Sequence, residues 1–105
     1  MAGLSGFLFL SDTITPTDGA RDVLAPFWTH PAAQDIALVA IGLDQSSSGG
    51  VFRTDGPNVL SGLGQPFPGG GGYIYLSSLN DIRAFRVQAA AAGTVNLRAT
   101  AYRVS

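Results

Sequence analysis

The sequence predicts an all-β fold: an antiparallel β-sandwich or a small jelly-roll-like barrel of about seven or eight short strands. Three observations carry this expectation. Apolar and polar residues alternate over 84–90 and 95–102. Side chains in a strand point to opposite faces in turn, so each segment offers one apolar face. Turn-forming residues (Gly, Asp, Asn, Pro, Ser) recur roughly every ten positions. Lys and Glu, both good helix formers, are absent from the chain, which lowers the helix expectation. All 105 residues are read as one β domain, with 1–12 as an N-terminal arm or edge strand.

Taken in order, Met1 to Leu10 is apolar at Leu4, Phe7, Leu8, Phe9 and Leu10. It lacks the positive n-region of a secretory signal and is too short to span a bilayer. A first strand or an arm is expected. After the turn Thr17-Asp18-Gly19, Arg21 to Ala25 is a candidate strand, followed by an aromatic loop, Phe27-Trp28, bracketed by Pro26 and Pro31. Ile36 to Leu43 is apolar on both faces and short, which suits a buried central strand better than a helix. Asp44 to Gly50 reads as a polar flexible loop. Val51 to Thr54 is expected as a short strand closed by Asp55-Gly56-Pro57, with Asn58 to Ser61 as another. Gly62 to Gly72 reads as a long loop, open to ordering within an assembly.

Tyr73 to Ser77 is expected as a strand with Tyr73 and Tyr75 on one face and Ile74 and Leu76 on the other. Ser78-Leu79-Asn80-Asp81 reads as a tight turn into a strand from Ile82 to Ala90. Ala91-Ala92-Gly93-Thr94 then reads as a hairpin turn, with Gly93 free to take a positive φ, before the last strand from Val95. The Ala89 to Ala92 run does not continue as a helix, because Gly93 and the β-branched Thr94 and Val95 follow at once.

The composition narrows the function classes. Hydrophobic residues make up 46% and charged residues 12%, about half the usual charged share. All six basic residues are Arg and all seven acidic residues are Asp. Lys and Glu are depleted from interfaces, where Arg and aromatics are enriched. A chain without either is expected where much of the surface is covered in an assembly; a GC-rich genome, favouring Arg, Ala and Gly, gives the same bias. With no Cys, a disulfide scaffold, a thiolate zinc site and a cysteine nucleophile are excluded. Net charge −1 without a basic run weighs against an electrostatic nucleic-acid binder.

Catalytic chemistry is poorly supplied. His30, the lone histidine, lies between Thr29 and Pro31, and no Gly-x-Ser-x-Gly elbow exists. The seven Asp fall near expected turns or strand ends, where the side chain caps backbone N–H groups locally. The run Gly69 to Gly72 lacks the Lys and Ser/Thr of a phosphate loop and leads into a strand. Asp44 and Asp55 are isolated, unlike the clustered acids of a calcium loop. No catalytic residue, cofactor or metal ligand is therefore expected. Interface candidates are the aromatics Phe7, Phe9, Phe27, Trp28, Phe67 and Tyr73, and the arginines Arg53, Arg86 and Arg98. Trp28 has a second reading, as a plug at one end of the core. Alternation puts Arg86 and Arg98 on the non-core faces of their strands, and Arg83 and Arg103 in phase with the apolar positions near strand ends.

The second half resembles small virion proteins of tailed phages. A Gly-rich loop and strand, Gly69-Gly70-Gly71-Gly72-Tyr73-Ile74-Tyr75-Leu76, precede a Leu-containing turn with Asp, Leu79-Asn80-Asp81-Ile82. A strand with the spacing Ile82 to Val87 follows, then an Ala/Gly turn and the last strand through Val95-Asn96-Leu97. The similarity covers residues 35–104 and is one of small residues and turns. It implies a head decoration or capsid cement protein on the virion's capsid surface, seated where subunits of the major capsid protein meet. It also implies a homo-oligomer, with a trimer favoured, and no nucleic-acid or membrane partner. It carries no catalytic residues. The competing readings are a tail, neck or fibre-attachment component, a carbohydrate-binding β-sandwich using Trp28, Phe67, Tyr73 and Tyr75, and, least favoured, a small enzyme.

Overall fold

A computed structural model describes residues 3–54, 65–90 and 93–104. Among these residues seven strands form two antiparallel sheets: β1 (Leu4–Ile14), β2 (Leu38–Leu43), β3 (Gly50–Arg53), β4 (Gln65–Phe67), β5 (Gly72–Leu76), β6 (Arg86–Ala89) and β7 (Val95–Val104). The larger sheet has the order β1-β7-β2-β5 and the smaller β4-β3-β6. The small antiparallel sandwich expected from the alternation is what the chain forms. At about 3.3 Å per residue, β1 and β7 set its long dimension; the molecule measures 44 × 26 × 19 Å.

The alternation places the core. Val95, Leu97, Ala99 and Ala101 of β7 point inward, as do Val39 and Ile41 of β2 and Ile74 and Leu76 of β5. Phe67, Val87 and Ala89 face them from the smaller sheet. The connections add the rest: Val23, Leu24 and Phe27 around α1 (Ala25–Trp28), and Ile82 and Phe85 around α2 (Leu79–Ala84), which packs against α1. In β1 the phase is reset by a bulge. The register with β7 shifts between Gly6 and Leu8, so Phe7 and Leu8 both lie half-buried and Phe9 turns outward.

Several expectations give way. Residues 21–25 form no strand; Arg21 makes one bridge to Val87 of β6, and α1 follows with a proline in its first turn. The strand expected from Ile82 begins at Arg86, because Ile82 and Phe85, three apart, meet the core from a helical turn. β2 is central but buried on one face only, with Leu38 and Ala40 on the open face. β4 was absent from the expected strands. β6 and β7 do not pair as the expected hairpin, since they belong to different sheets. Gly93 has no positive φ there; it is needed because a Cβ would run into the Ser48 side chain. The expected turn Asp55-Gly56-Pro57, the expected strand Asn58–Ser61, residues 62–64 and Ala91-Ala92 lie outside the described residues.

The loop between β2 and β3, expected to be flexible, is laced to the start of β7. Asp44 N donates to Asn96 O (2.9 Å) and Ser48 N to Thr94 O (2.8 Å). The buried Ser47 hydroxyl donates to Asn96 O (2.8 Å) and accepts from Asn96 N (2.9 Å).

Candidate functional site

Among the described residues nothing covers the outer face of the larger sheet, and strand pairing fixes what it displays. Directly opposed residues of paired strands share a face. The outward rows are Leu4 with Val104; Gly6, Tyr102 and Leu38; Phe9, Thr100, Ala40 and Tyr75; Ser11, Arg98, Gly42 and Tyr73; and Thr13 with Asn96. Chemistry is segregated along the strands. The end holding Leu4, Phe9 and Val104 is apolar, and these are among the exposed large hydrophobics, with Phe9 72% exposed.

The opposite half is concave and mixed. A depression of about 940 Å³ has Ala40, Gly42 and Thr100 in its middle, with Tyr73, Tyr102 and Arg98 among the larger side chains around it. Gly42 shapes it: a Cβ there would stand 3.3 Å from Cε1 of Tyr73, so the glycine lets that ring rest against the sheet. Tyr73 and Tyr75, 69% and 62% exposed, hold their rings nearly parallel, with centroids 6.0 Å apart and planes 15° apart. The far end is polar. Thr13 Oγ1 donates to Asn96 Oδ1 (2.8 Å), Asn96 Nδ2 lies 3.5 Å from Ser46 Oγ, and Ser46 N donates to Asp44 Oδ1 (3.3 Å). Asp12 is neutralised by Arg21, whose Nη2 lies 2.8 Å from Oδ2.

The structure separates the interface candidates. Phe9, Tyr73 and Arg98 share this face. Phe7 is half-buried, with the Arg103 guanidinium 5.0 Å from its ring centroid, where the two can interact as cation and π face. Phe27 (2% exposed) and Phe67 (8%) are core residues and present no surface, which corrects their assignment as contacts. Trp28 packs half-buried against the core and its indole Nε1 donates to Asp22 Oδ2 (3.1 Å). Arg86 is turned to its own chain: Nη1 donates to Phe85 O (2.8 Å) and lies 3.6 Å from Asp22 Oδ2. Arg53 lies half-buried on β3, opposite Arg86.

Leu4, Leu38, Tyr102 and Val104 were not among the interface candidates of the sequence reading. Leu4 and Val104 meet only because the two ends of the chain pair, and local alternation carries no signal of that. His30 is exposed, and its Nδ1 accepts from Ala32 N (3.0 Å), a local loop contact. Among the described residues no three His, Asp or other metal-ligating side chains converge, and no helix is long and apolar enough to cross a membrane. In comparisons with protein-family models, curated proteins and solved structures, no match to the chain was found.

Proposed function

We propose that this chain is a non-enzymatic structural protein that attaches to a larger protein shell, as a decoration or cement protein on a tailed-phage capsid. The observation that carries the reading is the apolar end of the larger sheet. Leu4, Phe9 and Val104 stand exposed together, beside the outer edge of β1, an eleven-residue strand. Free proteins blunt such edges with lysines, prolines or very short strands. β1 carries none of these; its bulge and Asp12 are the devices it has. A shell subunit could add a strand to this edge and cover the apolar residues. The absence of Lys and Glu supports the same reading, as do the small residues and turns in the second half that resemble phage virion proteins.

The test is sedimentation of purified protein with capsid particles that lack it. Binding at fixed stoichiometry, a gain in particle stability, and loss of both in Phe9→Asp are expected. Failure to bind, with particle stability unchanged, overturns the proposal.

A further inference from the structure

The concave half of the outer face has no role in the shell attachment just described. We infer that it is a binding site for an uncharged oligosaccharide. The inference stands whether or not the chain decorates a capsid.

Ligand sites are concave, with apolar and aromatic surface and a few polar groups that fix orientation. This depression has both, arranged as a sugar requires. A pyranose presents a face of C–H groups and a rim of hydroxyls that both donate and accept. Tyr73 lines the depression, and Tyr75, beside it on the next outward position of β5, extends it with a second exposed and nearly parallel ring. Around the same depression stand Arg98, Asn96 and Asp44, planar groups able to engage neighbouring hydroxyls in pairs, together with Tyr102. Two of these polar groups are pre-placed. Asn96 is held by Thr13, and Asp44 by the Ser46 amide. That reduces the ordering cost of binding.

Charge decides the class. Arg98 and Asp44 offset one another and Asp12 is already paired with Arg21, so the face presents no net field to a charged ligand. A nucleic-acid strand would also stack on tyrosines, but it needs a basic track along its phosphates. This face has Arg98 as its single cation among the lining groups. A flat apolar protein partner fits the Leu4–Val104 end better than this half.

The experiment is calorimetric titration of the full chain with maltohexaose, cellohexaose, xylohexaose and chitohexaose, with heparin and oligo(dT) as charged probes. At least one neutral oligosaccharide is expected to bind in the micromolar to low-millimolar range. Tyr75→Ala and Arg98→Ala should each weaken it about tenfold or more, while Phe9→Asp binds as the parent does. Circular dichroism checks the fold of each variant; both residues are exposed, and Arg98→Ala probes the site without touching the aromatic pair. No neutral probe binding up to about 10 mM, binding confined to the charged probes, or folded Tyr75→Ala and Arg98→Ala variants that bind like the parent would each overturn the inference. Because Phe9→Asp should abolish capsid attachment and spare sugar binding, the two proposals fail separately.

Discussion

Asp22 shows what a single carboxylate does here beyond capping a turn. It accepts from the Trp28 indole N–H at 3.1 Å and lies 3.6 Å from the Arg86 guanidinium, with both charged side chains largely buried. Removing it leaves the Trp28 indole N–H without its acceptor and the Arg86 guanidinium without its countercharge, and an unsatisfied buried group costs about 1–3 kcal/mol. Asp22→Ala should therefore lower the unfolding free energy by that amount, read as a lower urea midpoint, with a change in Trp28 fluorescence; an unchanged midpoint would show the network to be dispensable. Asp18 is a different case, an exposed carboxylate in a local turn. Its Oδ2 accepts from Thr15 N at 2.7 Å, and this bond, helped by the Thr15 hydroxyl and the nearby Arg21 charge, holds its pKa below the usual Asp value. The folded form then binds fewer protons than the unfolded form in the acid range. Asp18 contributes stability above its unfolded pKa, and that contribution is lost as pH falls through the lower folded value. Asp18→Asn should make the acid decline in stability shallower; superimposable acid titrations would contradict this. The turn role of Asp18 was legible, because Thr17-Asp18-Gly19 is a local turn pattern. The role of Asp22 was not, since its partners come from α1 and β6.

At the scale of elements, legibility followed periodicity. β5 and β7 could be read from alternation because each has one face in the core and one in the open. α2 was hidden because six residues are too few to display a helical period, and its apolar positions run directly into the phase of β6. β4 was hidden by composition: Gln65-Pro66-Phe67 sits among glycines and prolines, yet Pro66 is tolerated because β4 is an edge strand. The β2–β3 loop, polar and Gly-ended, gave no sign that Ser47 would be buried between its own loop and β7. Ser47→Ala removes a donor and an acceptor for one residue, Asn96, at once. A loss of about 1–3 kcal/mol is expected, with faster hydrogen exchange at the Asn96 amide. Unchanged protection there would mean that the loop is held by its backbone bonds alone. Of the candidate site, the tyrosines were visible as an outward pair. The concavity was not, because it depends on which strands lie beside β5.

For the molecule as a whole, the chain passes back and forth between sheets, so four of its connections cross the sandwich and few neighbours in sequence pair as hairpins. That arrangement leaves edges with unequal fates. In the smaller sheet β6 is covered by the Arg21 bridge, and β4 is three residues long with a proline at its centre. In the larger sheet β5 offers five residues and β1 eleven. This inequality restricts how copies of the chain can join. Two β1 edges meeting about a two-fold axis match in length and use each other up, so growth stops at a dimer. A β1 edge against a β5 edge is head-to-tail, leaves more than half of β1 unmatched, and must either close a ring or extend into a fibre. A trimer cannot be built from the two-fold contact alone. The mass of the protein in solution therefore reports geometry as well as number: an even assembly is what β1 gives by pairing with itself, whereas a three-fold one excludes that self-pairing and leaves β1 either in a β1–β5 ring or free for a different chain.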